Sequence, residues 1–196
     1  MLLAEIKKEH SKRMLPRMGA ATPGELAYIR DLIQKHRPAR FLEIGTASGM
    51  SAGFIAQFLH ENGGKSLTSV DLSSTFYRDR SKAIGYLARD IYTGSRVDVQ
   101  LFANKTSLDL AELGGPWDMV FIDAHHQHPW PTIDTLAVLP FLAGSRIVIH
   151  HDLLLYRNVP SLRGAGPRIL YDQMPETQKH VSSANKGNIF SLDFNM

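Results

Sequence analysis

A doubly wound α/β fold, with a mostly parallel sheet covered by helices on both faces, follows from three observations. Short apolar runs recur at 40–44, 66–70, 97–102, 119–122 and 147–150. Longer helical patterns lie between them, at 51–59, 76–92, 108–113 and 132–142. The first run breaks into the small-residue turn Gly45-Thr46-Ala47-Ser48-Gly49 directly before a helix. Buried strands alternating with helices imply a parallel sheet. A strand, a glycine-bearing turn and a helix N-terminus form the corner at which such sheets hold nucleotides.

The elements follow in order. Residues 1–21 read as a helical extension, and 22–196 as a single core domain. Thr22-Pro23-Gly24-Glu25 is a capped helix start with proline in the first turn, leading through 28–35. Gly63-Gly64 and Gly114-Gly115-Pro116 punctuate helix ends before the next strand. The segment 159–168, rich in Gly, Pro, Ser and Arg, reads as a mobile loop beside the site, followed by a short helix at 169–173. Residues 179–182 and 188–194 read as a last pair of strands.

Composition narrows the function classes. A chain of 196 residues, 43% hydrophobic and 21% charged, is large enough for one sizeable core. Without cysteine it can hold no disulfide, thiolate metal site or catalytic thiol, which fits a cytoplasmic setting. The apolar run at 1–4 is too short for a signal-peptide core, and no stretch nears the ~18 apolar residues of a membrane span. Lys7, Lys8, Lys12, Arg13 and Arg17 make the N-terminal segment basic within a net charge of +3. Few aromatics accompany them, so they read as the solvated face of a surface helix rather than a nucleic-acid contact.

The turn itself carries chemical information. Gly45, Ala47 and Gly49 are spaced Gly-x-Ala-x-Gly, one residue short of the dinucleotide pattern that seats a pyrophosphate. Glu43 adds a carboxylate at the strand end, a poor neighbour for phosphate, so a nucleoside with a positive or zwitterionic group suits it better. Asp71 ends the second strand about 20 residues beyond the turn, the separation of a ribose-binding acid. Asp71 as a cap of the next helix is the plainer alternative. Asp123 and Asp152 stand at or just past later strand ends and can face the same crevice. Between them, His125, His126 and His128 fit either a metal site or a solvated loop. Trp117 reads as core.

Leu42-Glu43-Ile44-Gly45-Thr46-Ala47-Ser48-Gly49-Met50-Ser51 resembles the first motif of class I S-adenosylmethionine-dependent methyltransferases, in the branch holding catechol-type O-methyltransferases and small bacterial relatives. Ser69-Val70-Asp71 resembles that family's second motif. Trp117-Asp118-Met119-Val120-Phe121-Ile122-Asp123 resembles its fourth-strand motif, and 144–152 its fifth strand with a His-Asp ending. The resemblance runs from about Thr22 to the C-terminus and implies a Rossmann-like domain closed by an antiparallel C-terminal hairpin. It implies an O-methyltransferase that uses S-adenosylmethionine on a small hydroxylated acceptor. Glu43, Gly45, Thr46, Ala47, Gly49, Ser51, Asp71, Leu72, Asn104 and Asp123 are the implied cofactor contacts.

The resemblance also places a general base three residues after the fourth-strand Asp, at His126. The unperturbed imidazole pKa of ~6.5 leaves such a group neutral enough at pH 7 to accept a hydroxyl proton. Metal-binding relatives hold Mg²⁺ at positions that match Asp123, His151 and Asp152. The imidazole departs from an all-oxygen set and suits Mn²⁺, Fe²⁺ or Zn²⁺ at least as well; a metal-free strand end is the alternative. Where relatives carry Gly-Asp-Ser after strand three, this chain has Asn104-Lys105-Thr106, which weakens the expected adenine contact. Two other readings stay open: an NAD(P)-dependent oxidoreductase, and a non-catalytic S-adenosylmethionine-binding protein. A homodimer is compatible with all three.

Overall fold

β1 (Arg40–Ile44) sends Phe41 to one face of the sheet and Leu42 and Ile44 to the other, all buried in separate apolar layers. This alternation is what a strand covered on both faces requires. The computed structural model describes residues 1–15, 18–159 and 161–195; Arg17 of the basic N-terminal segment lies outside them.

α1 (Leu3–Arg13) and α2 (Pro23–His36) precede β1. Lys7, Lys8 and Lys12 are exposed on α1, and Glu9 pairs with Lys12 and Arg13, as on a solvated helix face. Thr22 caps α2: its hydroxyl accepts from Glu25 N, and the Glu25 carboxylate accepts from Thr22 N at 2.7 Å. Then come α3 (Met50–Asn62) and β2 (Ser66–Asp71), followed by a small hairpin of β3 (Thr75–Phe76) and β4 (Asp79–Ala83) and the short α4 (Ala88–Ile91). β5 (Asp98–Ala103), a 3₁₀ turn (Ser107–Glu112), β6 (Trp117–Ile122), α5 (Trp130–Val138) and β7 (Leu142–His150) complete the parallel part. α6 (Leu162–Gln173), β8 (Lys179–Val181) and β9 (Phe190–Asp193) close the chain.

The strands lie in the order β5-β2-β1-β6-β7-β9-β8, parallel from β5 to β7, with β9 antiparallel to both β7 and β8. The Rossmann-like sheet and its C-terminal hairpin are therefore as expected. Phe54, Phe58 and Phe121 fill one layer, while Val70, Trp117 and Val148 fill the other. Among the described residues no helix is long and apolar enough to cross a membrane.

Three expectations are corrected. The helix predicted over 76–92 is the β3–β4 hairpin followed by a single turn of helix. Asp79 Oδ1 accepts from Ser81 N, a local bond that competes with helix. Gly85 takes a left-handed φ of 69°, and its N–H donates to Ala47 O, so this backbone buttresses the glycine turn instead of coiling. Second, the mobile loop predicted at 159–168 gives way to α6 from Leu162, capped by the Ser161 hydroxyl. Its glycines serve contact rather than mobility: a Cβ on Gly166 would lie 2.5 Å from His126 O. Third, α5 ends at Val138 instead of running to 142, because Pro140 follows in a 3₁₀ turn and Leu142 already pairs with Trp117.

Candidate functional site

The strand tips of β2, β1 and β6 and the segment after β5 converge on a cleft of about 620 Å³. At the tip of β1 the backbone turns through Gly45, with φ 102°, and a Cβ there would sit 2.2 Å from Asp123 O. Only glycine allows both that conformation and that approach. Ala47 N donates to Asp71 Oδ2 at 2.9 Å and Ser73 N to Oδ1 at 2.8 Å, so Asp71 is held at the cleft wall by backbone amides. Each of its oxygens keeps a further lone pair for a ligand hydroxyl.

Glu43 lies beneath this turn. It is fully buried, accepts from Ser51 Oγ at 2.5 Å and from Ser69 Oγ, and does not line the cleft. Burial pushes its carboxyl up to about 8, against the opposing effect of the two serines. Thr46 Oγ1 joins the same network through Ser69 Oγ at 2.7 Å. Glu43, Thr46 and Ser51 thus brace the turn, while Gly45, Ala47, Asp71 and Leu72 line the cleft. Asn104 is exposed and is not part of the lining.

On the β6–β7 side the chain gathers Asp123, His126, His151 and Asp152, one ligating atom of each within 4.8 Å of all the others. His126 Nε2 lies 3.2 Å from Asp123 Oδ1 and 3.3 Å from Asp152 Oδ2. His151 Nδ1 lies 3.2 Å from Asp123 Oδ1 and 3.4 Å from Asp152 Oδ1. Burial opposes charge on both imidazoles, but the carboxylates outweigh it: His126 is shifted above its ordinary value and His151 well above. Burial would likewise raise Asp123, yet His151 and His126 hold it below the usual carboxylate range. Asp152 adopts a φ of 59°, a left-handed conformation uncommon outside glycine, which aims its carboxylate back at the cluster. The other two loop histidines part company: His125 stands on the cleft wall near Trp130, and His128 leaves the cluster.

Sequence reasoning missed Glu25. It saw only the helix cap, and Oε2 does accept from Thr22. Oε1 reaches the other way, accepting from Asn185 and Asn188 Nδ2 and lying 3.1 Å from His151 Nε2. That last contact is an ion-pair distance without the alignment of a hydrogen bond. Burial would push Glu25 up, but His151 and the amides hold it down to about 2. Asn188 Nδ2 also donates to Asp152 Oδ1 at 2.9 Å, tying the C-terminal hairpin to the cluster. No local motif announces Glu25 or Asn188, because each acts across more than 100 residues of sequence in the first case and 36 in the second. Asp134, Trp130 and Arg163 also line the cleft unforeseen.

A family model described as a methyltransferase domain matches residues 42–153. None of the curated proteins matches. Among solved structures, an O-methyltransferase from Bacillus cereus in complex with SAH is 20% identical, with a TM-score of 0.64 and coverage of 97% of this chain and 90% of that one. The O-methyltransferase TomG from Streptomyces achromogenes, solved with SAM, is 20% identical at a TM-score of 0.65, covering 97% and 88%. The SAH-bound methyltransferase PaMTH1 from Podospora anserina is 16% identical at 0.68, covering 97% and 86%. At these identities the likenesses establish the fold.

Proposed function

Because the chain belongs to the methyltransferase domain family, we propose that it is an S-adenosylmethionine-dependent O-methyltransferase acting on a small hydroxylated acceptor. One observation carries this reading. The glycine turn with Asp71 and the cluster around Asp123 open into the same cleft, from opposite sides of the β1 tip. S-adenosylmethionine supplies an electrophilic sulfonium methyl when bound. Asp71 accepts from the ribose hydroxyls, and the turn at Gly45 lets the backbone approach the ligand. Neighbours of the same fold carry SAM or SAH, which supports the cofactor assignment.

His126 takes the acceptor's proton at Nδ1, the nitrogen turned away from the carboxylates. Asp123 and Asp152 accept from Nε2–H, which fixes the tautomer and the ring, and they stabilise the imidazolium that forms. These two carboxylates also raise the imidazole pKa, so His126 serves as a base above its ordinary range rather than at it. Aligning the acceptor is the remaining task, since a methyl displacement asks the protein mainly for position. Leu155 and Val159 flank the cleft with apolar surface, and Arg163 adds a cation at its rim.

The donor set also fits a divalent ion. Asp123, His151 and Asp152, with His126 in reach, offer two carboxylates and two imidazoles, a mixture suited to Mn²⁺, Fe²⁺ or Zn²⁺ more than to Mg²⁺. Glu25 behind His151 resembles the carboxylate that commonly fixes a ligating imidazole. Such an ion would act as a Lewis acid on the acceptor oxygen.

Calorimetric titration with S-adenosylhomocysteine, NAD and NADP, before and after exhaustive chelation, tests both levels. Binding of S-adenosylhomocysteine alone is expected, and binding of NAD in its place would favour the oxidoreductase. Methyl transfer lost on chelation and regained with Mn²⁺ or Fe²⁺ would favour the metal-assisted form. Full activity after chelation leaves His126 as base, and absence of transfer to any acceptor leaves a binding protein.

A further inference from the structure

We propose that Asp134 reads the base of the bound nucleoside, accepting a hydrogen bond from the exocyclic amine of adenine; this rests on the S-adenosylmethionine reading above. Strand order sets the geometry. The cluster of Asp123, His151 and Asp152 sits at the β6 and β7 tips, and Asp71 at the β2 tip. A nucleoside whose ribose rests on Asp71 and whose sulfonium end faces the cluster has its base on the remaining side, toward β5. There the cleft is walled by Lys105, Thr106 and Ser107 from the end of β5, and by Trp130 and Asp134 from α5.

Asp134 is 5% exposed, and Ser107 Oγ donates to its Oδ1 at 2.6 Å. Among the described residues nothing donates to Oδ2, although the residue lines the cleft. Oδ2 is therefore the oxygen left open to the cleft, while burial of the rest of the side chain raises its pKa against the opposing effects of Ser107 and His125. A tether between α5 and the 3₁₀ turn needs one acceptor atom and no charge, so the tether alone does not explain an acid here. The nearby lysine is otherwise engaged, since Lys105 pairs with Glu112 and Asp109. Trp130 stands on the same wall, half exposed, and offers an apolar face to a flat ring. A free acceptor beside an aromatic face selects a 6-amino purine. A 6-oxo purine would set its own acceptor oxygen against Oδ2.

The test compares S-adenosylhomocysteine with S-inosylhomocysteine by calorimetry, on the wild-type chain and on Asp134→Asn. The wild type should prefer the adenosyl ligand by at least about tenfold, the scale of one hydrogen bond to a charged group. In Asp134→Asn, Ser107 holds the amide oxygen and turns the amide N–H₂ into the cleft, so the preference should vanish or reverse. Equal wild-type affinity for the two ligands overturns the proposal without any variant. So does an unchanged preference in an Asp134→Asn protein that still binds S-adenosylhomocysteine. A wild-type chain that binds neither ligand overturns the cofactor reading and this inference with it.

Discussion

Replacing Glu43 by Gln should stabilise the protein at alkaline pH while leaving it nearly unchanged under mild acid. Glu43 is fully buried between Ser51 and Ser69, and its carboxyl is raised from 4.5 to about 8. A group raised on folding contributes its stability fully below its unfolded value and loses it as the pH climbs through the folded one. Between pH 4.5 and about 8 the wild type therefore gives up roughly 1.4 kcal/mol per pH unit at this site, on the order of 5 kcal/mol in all. Gln keeps the shape of the neutral acid and its bonds to both serines but has no proton to lose. Urea unfolding of the two proteins from pH 5 to 9 isolates the site, because every other titration cancels in the difference. The gap should open steadily in favour of Glu43→Gln and level off above pH 8. Parallel curves, or a variant that is uniformly less stable, would refute the assignment of a neutral buried acid under the glycine turn.

Three further outcomes are expected. Asp71→Ala should weaken S-adenosylhomocysteine binding by about 1.5–3 kcal/mol in calorimetry, the scale of lost charge-assisted hydrogen bonds; unchanged affinity would remove Asp71 from the ribose site. His126→Ala should lower turnover by about 10²–10⁴-fold with cofactor affinity intact, and the acidic limb of the wild-type pH–rate profile should lie above the ordinary histidine value, since Asp123 and Asp152 raise this imidazole. Glu25→Ala should cost about 3–5 kcal/mol of stability, as expected for stripping a buried pair of one partner. The Glu25 contribution, present above pH 4.5, fades as the pH falls through about 2, so the variant should also lose this part of the wild type's acid sensitivity.

What the sequence made legible, and what it hid, divides along the range of the interactions. The strands and the glycine turn are written locally: an unbroken buried run in β1 and a turn that admits no Cβ at Gly45 can be read within ten residues. The hairpin at 75–83 could not be, because its apolar residues keep a helix-like spacing. What decides against helix is the demand of the Ala47–Ser48 turn for backbone donors from Gly85 and Leu87. The glycines of α6 misled for the related reason that a contact with His126 O and a flexible loop leave the same mark in sequence. At the site, Asp71, Asp123, His151 and Asp152 were visible because strand ends declare themselves. Glu25, Asn188 and Asp134 were not, since each lies on an element whose local grammar is satisfied without them. Glu25 shows the difficulty most clearly: one oxygen completes a helix cap and the other faces His151, so its local role conceals its distant one. A carboxylate buried with more acceptor capacity than its helix needs is the physical trace of such a second role. The same surplus of acceptors, seen at Asp134, is what points to a ligand there.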